Sequence, residues 1–488
     1  MLLLFLLFLI AVLSLIFLTL PNLRKHEKLH LPPGPKGLPL IGNIHQFDPL
    51  TPHLYLSKLA KTYGPILSLK FGCRSAVVVQ SASLAKEVMK TQDHNFCTRP
   101  PLTGMQKLSY NGLDIAFASY GEYFREIRKI CVVHLLSSKK VQSSAPIRRE
   151  EVSRMIQKIS SLSSASEVVN LSDLLTTLSG SIICRIAFGK RFLRLLNEAQ
   201  IMLATVFFAD YFPFIGGWLD KLTGSSSRLE RAFNDLDEFY NKIINDHLDP
   251  NKPQSDNEDI VDVLLQFRNE RCFSFHLTLD HIKAVLMNII LAGTDTSVAM
   301  VVWVMTELLK NPTIMKKAQD ELRTVIRDKR LIEEDDIVKL EYLKAIVKET
   351  FRLHPAAPLL IVRETLNKCT MQDYDILPKT LMFVNVWKIS RDPEFWKDPE
   401  IFMPERFFES SIDFRGQDFE KENVPGMLHG LANIEMALAN LLYFFDWELP
   451  VGMKKEDIDT DLIPGITMQK KNPLCLVAKK FSSSFPND

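Results

Sequence analysis

From Thr278 to Pro312 the chain carries a helical signal that is apolar on nearly every face: Ile282, Val285, Leu286, Ile289, Ile290, Val298, Val301, Val302 and Trp303. Thr278 or Asp280 is placed to cap its start, and Pro312 stops it. The resulting helix, roughly 45 Å long, is long enough to cross a whole domain, and its all-round apolarity demands a central, buried place. Its middle reads Ala292-Gly293-Thr294-Asp295-Thr296-Ser297. A carboxylate and several hydroxyls are costly halfway along a buried helix unless something uses them, and Gly293 costs about 1 kcal/mol there relative to Ala. Two accounts compete. In one, Gly293 lets a flat ligand approach the backbone, and Asp295 beside Thr296 relays protons to it. In the other, the glycine serves helix packing and the polar groups are satisfied locally.

The rest reads as one large, mainly α domain with a small β region. Leu229, Phe233, Leu236, Tyr240 and Ile243 make one apolar helical stripe. Ile66–Phe71 and Ala76–Val79 around Gly72–Ser75 predict a hairpin, and Ile466–Gln469 with Leu474–Ala478 around Lys470–Pro473 predict a second. No internal repeat divides the chain. With 59 Lys+Arg against 58 Asp+Glu, there is no excess of positive charge for general nucleic-acid binding. The seven cysteines (73, 97, 131, 184, 272, 369 and 475) form no CxxC pair, so neither a zinc finger nor a disulfide framework is expected.

Residues 1–20 are apolar except for Ser14 and Thr19, enough to span a bilayer core of ~30 Å as a single-pass anchor. Arg24, Lys25 and Lys28 follow, which places the body in the cytosol. Pro32, Pro33, Pro35 and Pro39 complete a basic, proline-rich hinge over 21–40, leaving 41–488 as the main domain.

Further motifs are individually weak. Lys348-Glu349-Thr350-Phe351-Arg352 puts Glu349 and Arg352 on one helix face and is followed by Leu353-His354-Pro355. Pro404-Glu405-Arg406-Phe407 adds a second arginine beside a glutamate, and Phe124-Arg125-Glu126-Ile127-Arg128 stands upstream. In this order, together with PPGPKGLPLIGN, AGTDTS and the tail KKNPLCLV, the chain resembles the cytochrome P-450 family of the plant microsomal type, nearly end to end. The resemblance implies a haem cofactor and an endoplasmic-reticulum membrane location. It also implies an NADPH-dependent cytochrome P-450 reductase as partner, and insertion of one oxygen atom of O2 into a small hydrophobic substrate of secondary metabolism. It casts Asp295 and Thr296 as the proton-relay pair. Phe124, Arg128, Ala292, Gly293 and Arg363 become haem-binding, the two arginines through the propionates, as guanidinium suits carboxylate. Glu349, Arg352 and Arg406 become a buried salt-bridge cluster. The aromatic stretch Phe207–Ile215 and the region Phe96–Tyr110 correspond to family positions lining the access channel, although 207–215 serves equally as a surface dipping into the membrane.

One piece departs from the pattern. Between Glu420 and Pro425 stands only Lys421-Glu422-Asn423-Val424, so Val424 holds the slot of the family's cysteine ligand and the glycine-rich haem loop before it is cut short. Valine has no lone pair, whereas the thiolate holds the iron and pushes electron density toward O–O cleavage. No metal ligand is therefore assigned, and the chain is read as an inactive relative of haem-thiolate monooxygenases. A non-catalytic protein binding haem or a hydrophobic ligand is the alternative. His429, further along, is read as a packing or surface histidine, with iron ligation open only if the loop collapses.

Overall fold

The computed structural model describes residues 29–189, 196–251, 258–270, 273–327, 329–408 and 425–481. The anchor 1–20, Arg24, Lys25, Lys28, Cys272 and Val424 lie outside the described residues. The helices that frame the site are α1 (Glu122–Ile130), α2 (Ala145–Ser164), α3 (Leu171–Phe188), α4 (Leu196–Ala204), α5 (Gly216–Leu222), α6 (Ser225–Leu248), α7 (Leu279–Lys310), α8 (Pro312–Val325), α9 (Glu341–Leu353) and α10 (Met427–Phe444).

Helix α7 is the expected central helix. The Thr278 hydroxyl accepts from the His281 N–H while the His281 ring accepts from the Thr278 N–H, a reciprocal cap that satisfies two orphan donors. Pro312 ends α7 and opens α8, where its missing N–H costs nothing. The two halves of α7 enter different cores. Ile282, Val285, Leu286, Ile289 and Ile290 pack with α1, α3 and α6. Met300, Val301, Val304, Met305 and Leu308 pack with α2, α3, α8, α9 and α10. The polar run 292–297 belongs to neither and lies at the seam between them. Helices α3 and α7 are both apolar and long enough to cross a membrane, yet most of each is buried inside the protein, which marks them as core helices.

A four-stranded sheet has the order β1-β2-β7-β4, built from β1 (Ile66–Phe71), β2 (Arg74–Val79), β4 (Arg363–Glu364) and β7 (Leu381–Val384). The first predicted hairpin is present, β1 and β2 pairing antiparallel with Phe71 opposite Arg74. Its turn needs glycine: Gly72 has φ +55°, and a Cβ there would lie 2.3 Å from the Tyr211 carbonyl oxygen. The proline-rich segment is drawn onto the same sheet at Pro32 and Pro33, since Ser68 donates its N–H to Pro33 O (2.8 Å) and its hydroxyl to Pro32 O (2.7 Å).

The second predicted hairpin is not formed. Strand β9 (Cys475–Lys480) pairs antiparallel with β8 (Phe445–Glu448) and with β3 (Val169–Asn170), not with 466–469. The reason is a competing tie. The Trp303 indole donates to Met468 O (2.8 Å), and the Met468 N–H donates to Ala356 O (2.8 Å), so this segment is held against α7. Trp303 also stacks flat on His354 at 4.1 Å, and His354 Nε2 lies 2.8 Å from Glu307. Replacing Trp303 by Phe keeps most of the packing and orphans the Met468 carbonyl. The expected loss is about 1–3 kcal/mol, seen as a lowered midpoint in thermal or denaturant unfolding.

Candidate functional site

A cavity of about 1210 Å³ opens along the seam at the middle of α7. It is walled by Ala292, Gly293, Asp295 and Thr296 of α7, Phe124 and Arg128 of α1, and Gly426, His429 and Gly430 at the start of α10. The helix makes this wall by letting side-chain hydroxyls take its carbonyls. Thr296 donates to Ala292 O (2.6 Å), and Ser179 of α3 donates to both Gly293 O (3.2 Å) and Thr294 O (3.1 Å). The Thr294 and Ser297 hydroxyls are buried without a partner among the described residues. Gly293 fits the packing account as well as the ligand account, because a Cβ on it would meet Ile183 Cδ1 at 2.8 Å.

Asp295 sits on the wall with its carboxyl pushed up to about 6 by burial, against the opposing pull of the Gln200 and Gln469 amides. Asn288, one full turn before the polar run, has a role that its position as a lone amide in an apolar helix face could have signalled. It donates to Asp114 (2.7 Å) and accepts from the N–H groups of Ile115 (3.1 Å) and Ala116 (3.0 Å). This clamps the 115–117 segment onto α7 as cavity wall. Burial pushes the fully enclosed Asp114 up to about 7.

Arg128 reaches the wall, its guanidinium 6.0 Å from the Phe124 ring centre. Arg363 does not: it sits on β4 and pairs with Asp93 at 2.8 Å. Arg99 takes a place on the wall instead, donating to Ile361 O (2.8 Å) and Val362 O (3.3 Å). The stretch 207–215 supplies no wall residue among those described. Phe207 is in the core and Tyr211 O accepts from Cys73 N–H at the hairpin turn, while Phe214 and Ile215 point outward beside the exposed Trp218 and Leu222 of α5. Of Phe96–Tyr110, Arg99 alone lines the cavity among the described residues.

In the salt-bridge cluster Glu349 and Arg352 are fully buried and the Arg406 side chain nearly so. Arg352 Nε and Nη2 each donate to a Glu349 oxygen at 2.8 Å, and Arg406 Nε donates to Glu349 Oε1 at 3.0 Å. The Met403 N–H adds a bond to the same oxygen (2.8 Å), and Arg352 Nη1 donates to Ser390 O (2.9 Å) and Pro399 O (2.7 Å). One bidentate pair thus pins the segment 399–406 to α9.

The walls fit a flat macrocycle: Ala292 and Gly430 bring little bulk, and Phe124 and Arg128 supply a ring and a cation. Among the described residues no thiol faces the cavity to hold an iron. None of the described cysteines lines the cavity, Cys131 and Cys184 being core residues and Cys73, Cys97, Cys369 and Cys475 lying elsewhere. His429 does line it, 4% exposed, with both ring nitrogens unpartnered among the described residues.

The family model for Cytochrome P450 matches residues 32–477. The chain is 46% identical over 486 residues to a 5-OH-xanthotoxin synthase of Ammi majus, covering 94% of this chain and 95% of the relative. It is 44% identical over 491 residues to a 6,7,8-trihydroxycoumarin synthase of Pastinaca sativa, covering 96% of each. To Cytochrome P450 71B34 of Arabidopsis thaliana it is 44% identical over 495 residues, covering 98% of each.

Two substitutions probe these arrangements. Glu349→Ala leaves two buried guanidinium groups without their carboxylate and is expected to cost about 3–5 kcal/mol, read by denaturant unfolding. Asp295 binds its proton more tightly folded (about 6) than unfolded (3.8), so its ionisation opposes folding above pH 6 and ceases to matter below about pH 4. Asp295→Asn is therefore expected to stabilise at pH 7 by on the order of 2–3 kcal/mol, with the gain shrinking to nothing as the pH falls from 6 to 4 in parallel melts.

Proposed function

Because the chain belongs to the cytochrome P450 family, whose members use haem, we propose that its cavity is shaped for an iron porphyrin and a small hydrophobic molecule, but that it does not carry out thiolate-dependent oxygen insertion. The observation that carries this reading is the donor set. Val424 stands in the cysteine slot, the chain has no cysteine between Cys369 and Cys475, and none of the described cysteines reaches the cavity wall. Without a thiolate, the electron donation that favours O–O cleavage has no source.

In this reading Arg128 meets the ring carboxylates and Phe124 walls the ring. Ala292 and Gly293 give it room, and Asp295 with Thr296 stands where protons would be passed. Arg363, engaged with Asp93, leaves this set and Arg99 takes its place on the wall. Glu349, Arg352 and Arg406 lock the segment before the shortened loop. The names of the relatives, a xanthotoxin-derivative synthase and a coumarin synthase, favour flat, oxygenated aromatic lactones as the molecules the cavity takes. Residues 1–20 act as a single-pass anchor in the endoplasmic reticulum, with 21–40 as hinge and 41–488 as the cytosolic domain. The exposed Phe214, Ile215, Trp218 and Leu222 rest on the same membrane. A reductase, if recruited, meets the basic end of α1 around Arg125 and Lys129.

A second reading, a binding protein for such molecules, is favoured by the cavity itself, which keeps its volume and apolar walls. The test uses the full chain with reductase and NADPH. Coumarin is expected to bind, seen by calorimetry, and to be returned unhydroxylated. Turnover, or a thiolate-type Soret band in the reduced, carbon-monoxide-treated protein, would overturn the inactive reading.

A further inference from the structure

At the start of α10 the wall holds an imidazole with nothing to bond. His429 is the third residue of α10, only 4% exposed, and neither Nδ1 nor Nε2 has a partner among the described residues. Buried polar nitrogens are ordinarily satisfied, and each orphan calls for an explanation such as an absent ion or ligand. A packing histidine would spend at least one ring nitrogen on a carbonyl, hydroxyl or carboxylate, as His247 does on Ile243 O (2.7 Å) and His354 on Glu307 Oε1 (2.8 Å). His429 does neither.

A neutral imidazole keeps a free lone pair on one ring nitrogen. That is the form that ligates transition metals. The neighbouring Gly430 adds no side chain to the wall, and a Cβ there would meet Ser297 Oγ at 3.8 Å. No other imidazole stands on the described wall, and no described thiol does. Histidine is one of the few side chains that hold haem iron.

We propose that His429 supplies the axial nitrogen through which this chain holds an iron porphyrin, making it an imidazole-ligated haem protein on a fold built for a thiolate. This rests on the reading above that the cavity takes haem while the cysteine ligand is gone. Such a protein would bind diatomic gases or pass single electrons; neither requires the thiolate's push.

The test is spectroscopic. Full-length protein is loaded with haem, reduced and exposed to carbon monoxide. The wild type is expected to take up one haem per chain and to give an imidazole-type Soret band, as globins do. His429→Gly is expected to lose that band, and added free imidazole to restore it, a rescue that a merely structural residue would not allow. His429→Phe, of similar bulk, is expected to lose the band without rescue. Circular dichroism and binding of an apolar fluorescent probe check that both variants keep the fold and the cavity. A band unchanged in folded His429→Gly or His429→Phe overturns the proposal and leaves the reading above standing; a wild type that takes up no haem overturns the proposal together with the haem-binding part of that reading, leaving only the absence of oxygen insertion. A thiolate-type band overturns the two together.

Discussion

A helix that is apolar all round can be stable in water only if other elements enclose it, and the rest of this protein is arranged around that requirement. Helix α7 is packed by one set of helices over Ile282–Leu291 and by another over Met300–Leu309. Neither set closes over residues 292–297, where a carboxylate and three hydroxyls interrupt the apolar surface. Two cores that stop short of each other at a polar seam leave a cavity, and the seam's carbonyls are then taken by Thr296 and Ser179.

The second constraint is electrostatic. Glu349 and Arg352 are completely buried, and a buried ion pair is seldom a net source of stability, because desolvation consumes most of the attraction. Its value here is positional. A bidentate fork, a second arginine and three backbone partners fix where residues 390–406 cross α9. Breaking such a group is far more costly than never having built it, so it works as a latch.

Much of this was legible in the chain. The extent of α7, the β1–β2 hairpin, the apolar stripe of α6 and the Glu349–Arg352 pair follow from local spacing, which periodicity and capping report, whereas Arg406 joined that pair only through the family resemblance. Three things were not legible, for one reason. Whether 466–469 pairs with β9 depends on Trp303, far away in the chain, taking the Met468 carbonyl first. Whether the aromatics of 207–215 face a cavity or the solvent depends on Tyr211 docking at the Gly72–Cys73 turn. Which arginine reaches the wall depends on Asp93 having claimed Arg363. Each is a competition between partners hundreds of residues or several elements apart, and a linear pattern records the competitors without the winner.

By itself the sequence determined that a long buried helix with a polar heart would organise a large α domain, and that no thiol stands between Cys369 and Cys475, because residue identity, period and cysteine position are properties of the chain alone. Tertiary structure decided what faces the space left over. The same imidazole at His429 would be a satisfied packing group had any carbonyl or hydroxyl come within reach. The helices converge so that none of the described ones does, and an unspent nitrogen on a cavity wall is a fact of packing that no reading of neighbours in sequence contains.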